Sequence, residues 1–205
     1  MRKFILLIFL LSTIINAQTP MSSGEAASLK QLVKVQAKNT KTITSQFTQY
    51  KYMDFLSNDI ITKGNLHFKS PDLVRWAYTE PFEYIVIFKN QTLYINDEGK
   101  KSNVDMGSSK LFKELNNLII KSVKGDMFDD KAFDIEYYKD SKNSLVYFKP
   151  KDKKSARFIS AFHITFNKKG DVEMVKMIEP SGDYTKIVFS NKALNKPVSN
   201  ALFNH

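Results

Sequence analysis

The sequence predicts a mainly β (α+β) fold: a strongly curved antiparallel sheet or incomplete β-barrel of about nine to eleven strands with an α-helical lid. Three observations support it. Apolar and polar residues alternate over most of the chain, the connections are short and rich in turn-forming residues, and two segments have helical periodicity. A sheet of that many strands tends to curl or close. With no second sheet to pack on, the helices are expected to lie across its open side.

The first 17 residues, MRKFILLIFLLSTIINA, have the layout of a secretory signal peptide, with a basic start, an apolar run and a small residue at Ala17. We expect cleavage between Ala17 and Gln18, leaving residues 18–205 as a single exported domain. An uncleaved anchor is the alternative, but the unbroken apolar core is shorter than the roughly 20 residues that a spanning helix needs.

The first helix is predicted over Glu25–Thr42, after a flexible lead at Gln18–Gly24, with Ser23 as its N-cap. Its apolar residues recur every three or four positions, as one face of an amphipathic helix requires. They are Ala26, Leu29, Leu32, Val33 and Ala37.

Five strands follow. The first begins at Ile43, the next two span Ile60–Ser70 and Leu73–Glu80, and EYIVIF and TLYIND form a hairpin. Gly64 marks a bend or bulge. The two-residue period places Leu66 with Phe68 on one face, Val74, Trp76 and Tyr78 on another common face, and Phe47 opposite Tyr50 and Tyr52.

The second helix is predicted over Ser108–Val123, with Gly125 near its C-terminal stop. Its apolar stripe comprises Leu111, Phe112, Leu115, Leu118 and Ile119. Five more strands then form an antiparallel meander through AFDIEYY, SLVYFKP, FISAFHITFN, DVEMVKMIEP and YTKIVFSN. A final strand is predicted around Ala201–Phe203.

Residue types for catalysis are scarce. The chain has no cysteine, three histidines without metal-ligand spacing, and 7 glycines, too few for a phosphate-binding loop. His67 and His163 alternate with apolar neighbours and are expected to be exposed. We therefore predict a protein that is not an enzyme and has no cofactor or metal. The net charge of +10, or +8 without Arg2 and Lys3, suits either anionic lipid and acidic partners or simple solvation.

The apolar content is high: aromatic residues make up 13% of the chain, and the strand around Tyr84–Phe88 is apolar on both faces. Such a strand needs cover on both sides, from helices inside the concavity or from an interior ligand. Composition alone is compatible with a well-filled core and with a cavity lined for an acyl chain.

Several motifs, in this order, resemble the periplasmic outer-membrane lipoprotein carrier family, LolA. They are SQFTQYK (Ser45–Lys51), GNLHFKSPDLVRWAYTEP (Gly64–Pro81) and FHITFNKKGDVEMVKMIEPSGDYTKIVFSN (Phe162–Asn191). The resemblance covers nearly the whole chain after the leader. It implies an incomplete barrel under a helical lid, with a cavity that receives the acyl chains of lipoproteins.

The resemblance also implies partners and a site. A periplasmic monomer would take acylated lipoproteins from an inner-membrane lipoprotein-releasing ABC transporter to an outer-membrane acceptor, without nucleic acid. Trp76 matches the aromatic residue that faces the cavity, and Val74 matches a position at its mouth. The predicted cavity and lid residues are Leu29, Leu32, Val33, Phe47, Leu66, Phe68, Val74, Trp76, Tyr78, Leu111, Phe112, Leu115, Leu118 and Ile119.

One position departs from the family pattern. Many members have an arginine that fastens the lid immediately before the proline matching Pro71, and this chain has Ser70. We expect the latch to be weaker or built differently. A carrier of the same fold for another acylated or lipid-like cargo, and a sensor that binds a peptide on the sheet surface, remain alternatives.

Overall fold

The computed structural model describes residues 18–90, 92–105, 121 and 125–205. The proposed signal peptide lies outside these residues. So does nearly all of the predicted second helix, including Leu111, Phe112, Leu115, Leu118 and Ile119. No helix among the described residues is long and apolar enough to cross a membrane.

The described residues form one open sheet of 12 strands in the order β1-β8-β9-β10-β11-β12-β2-β3-β4-β5-β6-β7, with antiparallel neighbours throughout. The predicted fold class is confirmed. Two strands absent from the prediction raise the count, one in the lead and one after the TLYIND hairpin. The bounds are β1 Thr19–Pro20, β2 Thr42–Tyr52, β3 Ile60–Lys69, β4 Leu73–Glu80, β5 Tyr84–Lys89, β6 Thr92–Asp97, β7 Lys100–Asp105, β8 Phe133–Lys139, β9 Ser144–Pro150, β10 Ala161–Phe166, β11 Val172–Ile178 and β12 Tyr184–Leu194.

Helix α1 spans Ser23–Asn39, and its N-cap is Ser22 rather than the predicted Ser23. The Ser22 hydroxyl accepts a hydrogen bond from the Glu25 backbone N–H at 3.3 Å, and the Glu25 carboxylate accepts one from the Ser22 N–H at 2.9 Å. Hydrogen bonds from Lys139 and from Ser22 lower the pKa of Glu25 to about 2. The helix ends earlier than predicted because Thr42 already begins β2.

The buried side chains form two clusters on the inner side of the sheet. In the first, Leu29 and Val33 of α1 pack on side chains from β9 and β10, such as Phe148 and Phe162. The second is built from strands β2 to β6 with Ile187 of β12 and contains Trp76. Helix α1 therefore covers the β8–β11 half of the sheet directly.

The C-terminal segment covers the outer face of β5. The predicted strand at Ala201–Phe203 is wrong: residues Asn200–Phe203 form a 3₁₀ turn, because the Ser199 hydroxyl caps it by accepting from the Ala201 N–H at 3.2 Å. Phe203 is buried with Val198 against Ile87. The outer apolar face of this two-faced strand is thus covered by the chain's own C-terminal segment, rather than by the expected helix or ligand.

The predicted exposure of His67 and His163 is also wrong, because both are half-buried. The His163 ring stacks on Tyr147, its cross-strand neighbour, with 3.9 Å between centroids. Burial is the main cause that lowers the pKa of each histidine. Nearby positive charge lowers it further, from Arg75 at His67 and from Lys176 and Lys149 at His163. Alternation placed both residues on the outer face, where Tyr147 stacks on His163 and Arg75 is the cross-strand neighbour of His67.

Candidate functional site: an apolar cavity beside Trp76

A cavity of about 130 Å³ lies between the C-terminal half of α1 and the inner side of the sheet. Val33 and Ala37 of α1 form its roof. Opposite them lie side chains from β2, β3, β4, β11 and β12. The apolar wall residues on the sheet are Ile43, Leu66, Trp76, Val172, Val175, Phe189 and Leu194. Strands β3 and β11 are separated by two strands in the sheet and still face the same space, so the sheet curls around the cavity.

The volume sets what the cavity holds in this conformation. Dry apolar cavities of about 150 Å³ accept a benzene-sized molecule. The present cavity therefore has room for a ring or a short section of an acyl chain. A longer tail fits inside only if the roof moves, and otherwise extends out through the mouth.

Trp76 lies at the junction of packed core and cavity wall. Its side chain is 6% exposed. Its ring centroid lies 4.6 Å from that of Phe47 and 6.0 Å from that of Phe189, and Phe47 in turn meets Tyr78 edge-on at 5.2 Å. One side of the indole is thus held by aromatic neighbours while another part borders empty space. Trp76 therefore belongs both to a well-filled core and to the wall of a cavity.

Eight of the nine predicted site residues that the structure describes fall into two groups. Val33, Leu66 and Trp76 line the cavity. Leu29 is buried under α1, and four others belong to the core around Trp76 without lining the cavity; these are Phe47, Phe68, Val74 and Tyr78.

Two predicted positions differ from expectation. Val74, which the resemblance places at the mouth, has no exposed surface and is core. Leu32 is 39% exposed and lies beside the β10–β11 turn at Gly170 instead of facing the cavity. The reason for Leu32 is helical geometry, since only one stripe of α1 can face the sheet.

Phe189 and Val175 are wall residues that sequence reasoning did not select. The two-residue period of β12 places Phe189 on the same side as the buried Ile187, so alternation could have identified it. In β11 apolar residues occupy both faces, and no such signal was present.

The rim of the cavity is polar. The Gln36 side-chain amide donates to the Asp171 carboxylate at 2.9 Å and so ties α1 to the β10–β11 turn. Asn167 donates to the other Asp171 oxygen at 3.4 Å. The Lys192 ammonium donates to the Val172 carbonyl, and burial lowers its pKa despite the opposing charges of Asp171 and Glu173.

The described residues contain no group of three or more histidine, aspartate or glutamate side chains that could hold a metal ion. What the site offers is an apolar space with a polar rim beneath a helix. This arrangement defines a class of protein in which an open, curled antiparallel sheet surrounds an apolar cavity under a helical cover.

The chain belongs to the family described as outer membrane lipoprotein carrier protein LolA, whose family profile matches residues 38–205. An outer-membrane lipoprotein carrier protein of Francisella tularensis subsp. novicida is 24% identical over 180 residues, which cover 81% of this chain and 78% of the relative. The same figures hold for the carrier of Francisella tularensis subsp. tularensis strain SCHU S4.

Solved structures share the fold at low identity. The Mycobacterium tuberculosis lipoprotein LppX superposes with a TM-score of 0.51 at 8% identity, over 87% of this chain and 99% of that one. A DUF1329 family protein from Desulfovibrio piger gives a TM-score of 0.50 at 13% identity, over 87% and 97% of the two chains.

Proposed function

We propose that this protein is a periplasmic chaperone that shelters the acyl chains of lipoproteins in the cavity beside Trp76 and carries them from the inner to the outer membrane. The observation on which the proposal rests is the apolar space that Trp76, Leu66 and Val33 enclose beneath α1. Membership of the lipoprotein carrier family supports the class of cargo.

The physical need for such a carrier follows from the hydrophobic effect. Each acyl CH₂ group exposed to water costs about 0.8 kcal/mol, so a lipoprotein does not cross an aqueous compartment unaided. Apolar walls return that free energy without requiring a fixed chain length. Because the volume of the cavity is small, a long acyl chain enters with an outward movement of α1. The free energy of that movement offsets part of the binding free energy, which keeps release possible.

The location and partners are part of the proposal. The N-terminal leader supports export to the periplasm, where the chain would act as a monomer. It would receive cargo from an inner-membrane lipoprotein-releasing ABC transporter and deliver it to an outer-membrane acceptor. Binding and release of this kind need no catalytic group.

Uptake of an acylated lipoprotein from inner-membrane vesicles tests the proposal. Added protein should release the lipoprotein into the soluble fraction as a complex, and the emission of Trp76, the single tryptophan, should change on binding. Mass spectrometry of the extracted complex identifies the acylated cargo.

A pair of variants assigns the binding to the cavity. Val175→Phe places a larger side chain in the cavity wall, whereas Val188→Phe makes the same change at a position that is 37% exposed. Val175→Phe should lower the amount of lipoprotein released, and Val188→Phe should not. Equal release by the two variants would mean that the cavity is not the binding site. If the unaltered protein releases no lipoprotein, a carrier of another lipid-like cargo becomes the better hypothesis.

A further inference from the structure

Lys192 is an unusual wall residue for an apolar cavity. Its side chain lines the cavity near the end of β12, and its ammonium nitrogen lies 5.8 Å from the centroid of the Phe189 ring. A charged group in apolar surroundings is unfavourable unless it is paired and hydrogen-bonded.

The ammonium has one hydrogen-bond partner among the described residues. It donates to the Val172 backbone carbonyl, a neutral acceptor. Asp171 and Glu173 are near enough to raise the pKa of Lys192, yet neither carboxylate lies within ion-pair distance in the described part of the chain. An ammonium has three donors, so the Lys192 side chain retains capacity to bind an anion.

The cavity mouth continues into a basic groove. Lys192, Phe189 and Asp171 line both spaces, and the groove adds Lys142, Lys168 and Lys169. These three lysines are exposed and form no ion pair with any carboxylate of the described residues. The groove also contains the carboxylates of Asp171 and Glu173, so its four lysines leave a net charge of +2. An apolar space thus opens onto a groove of net positive charge, which an amphiphile with an anionic head would fit.

We infer that the protein binds single-chain anionic amphiphiles, with the acyl chain beside Trp76 and a carboxylate or phosphate head on the Lys192 ammonium. This ligand class goes beyond acylated lipoproteins, whose acyl groups carry no anion of their own. The inference shares only the cavity with the proposed function. Hydrogen bonds between ionised partners are about twice as strong as neutral ones, and the neighbouring lysines of the groove add longer-range attraction.

Head-group selectivity at constant chain length tests the inference. Dodecanoate and dodecyl phosphate would be titrated below their micellar concentrations against dodecanol, with Trp76 emission as the readout. At least one of the two anions should bind about tenfold more tightly than the alcohol, as expected for a hydrogen bond to a charged group. Which anion binds more tightly distinguishes a carboxylate from a phosphate head.

Three variants locate the selectivity. Lys192→Met should remove the tenfold preference and leave dodecanol binding unchanged, whereas Lys192→Arg should retain most of the preference. Lys153→Met, on the short helix α2 (Lys153–Ala156), removes one exposed charge elsewhere and should behave like the unaltered protein. Urea unfolding of each variant verifies that the fold is intact.

The outcomes separate this inference from the proposed function. Dodecanol binding without a preference for either anion, or a preference that persists in Lys192→Met, overturns the inference and leaves the carrier function standing. Failure of all three compounds to bind overturns the use of the cavity itself, on which both depend.

Discussion

Substitution of Gly64 by alanine should destabilise the protein by disturbing Phe47, the ring that packs against Trp76. Gly64 lies at the bulge between β3 and β4, where the pairing shifts between Lys63 and Gly64. A Cβ atom there would stand 2.1 Å from the Ala77 carbonyl oxygen and 2.6 Å from the tip of the Phe47 ring. The oxygen belongs to the backbone of β4, so the clash cannot be relieved by rotation of a side chain alone.

The magnitude follows from two opposing terms. Overpacking that forces side chains and backbone to shift costs about 1–3 kcal/mol, and a backbone contact this short favours the upper end. Replacing glycine within a strand recovers about 0.5–1 kcal/mol of conformational entropy. The net loss is therefore about 2 kcal/mol, which corresponds to a fall in Tm of roughly 6 °C for a chain of this size.

Urea and thermal unfolding of Gly64→Ala and of a matched Gly24→Ala variant provide the assay. Gly24 lies in the first turn of α1, and no atom stands within 4 Å of the place that an added Cβ would take, so alanine there should leave stability unchanged or raise it by up to about 1 kcal/mol. In Gly64→Ala the emission of native Trp76 should also change, because Phe47 is displaced. Unfolding midpoints for Gly64→Ala that match the unaltered protein would refute the close-packing argument.

Three further predictions concern the C-terminal segment, the pH dependence and the tie across the cavity rim. Phe203→Ala should lower the free energy of unfolding in urea by about 3 kcal/mol, because it empties the buried site against β5. The control Phe55→Ala, at a residue that is 79% exposed, should change stability by less than about 0.5 kcal/mol. Equal effects of the two substitutions would contradict the proposed role of the C-terminal segment. The pKa of Glu25 is lowered to about 2, so its contribution to stability is present above about pH 4.5 and is lost as the pH falls toward 2. Glu25→Gln should therefore flatten the pH dependence of the urea midpoint between these values. An unchanged slope in this variant would contradict the role given to Glu25. Gln36→Glu should place a second carboxylate against Asp171, lower the free energy of unfolding by about 1 kcal/mol and speed the uptake of dodecanol, measured by stopped-flow Trp76 emission. The added change Asp171→Asn should reverse both effects. If it does not, the bond between Gln36 and Asp171 does not restrain α1.

Local periodicity determined which parts of the fold were predictable. The alternation in Leu73–Glu80 gave the bounds of β4 as observed, and that in Ile60–Ser70 gave β3 to within one residue. These patterns depend on side chains two residues apart, so they need no knowledge of the rest of the fold. The N-cap of α1 was placed one residue late because Ser22 and Ser23 are both suitable capping types. The capping-box pattern, a serine followed three residues later by glutamate, fits Ser22 with Glu25 and would have distinguished the two in the sequence.

Contacts between distant segments were not predictable in this way. The C-terminal segment and β5, more than 100 residues apart, form one outer cluster, and nothing in either pattern indicates the other. The same limit applies to the cavity. Alternation placed Val74 and Trp76 correctly on one face, but that face is part core and part cavity wall, and only the position of α1 and β12 separates the two.

The attachment of α1 explains how the cavity could open at modest cost. Only Leu29 and Val33 of this helix are fully buried apolar anchors, and Leu29 lies farther from the cavity than Val33. Raising the C-terminal half exposes Val33, at about 1.5–3 kcal/mol. It also breaks the bonds from Gln36 to Asp171 and from the Asn195 side-chain amide to the Asn39 carbonyl, at about 1 kcal/mol each. The sum of about 4 kcal/mol corresponds to an open population of roughly one molecule in a thousand.

The structure also shows what Ser70 does at the position where the resemblance implies a lid-fastening arginine. Ser70 contributes a backbone bond, donating its N–H to the Lys41 carbonyl at 2.8 Å, and this bond fastens the start of β2 without reaching the cover. The restraints on the C-terminal half of α1 include the neutral Gln36 amide on the half-buried Asp171 carboxylate and a bond from the Asn195 side-chain amide to the Asn39 carbonyl at 3.0 Å. A hydrogen bond of this kind contributes about 1 kcal/mol, which is less than the stability lost when one partner of a buried ion pair is removed. The bond between Gln36 and Asp171 can therefore break without leaving an unpaired cation over the cavity.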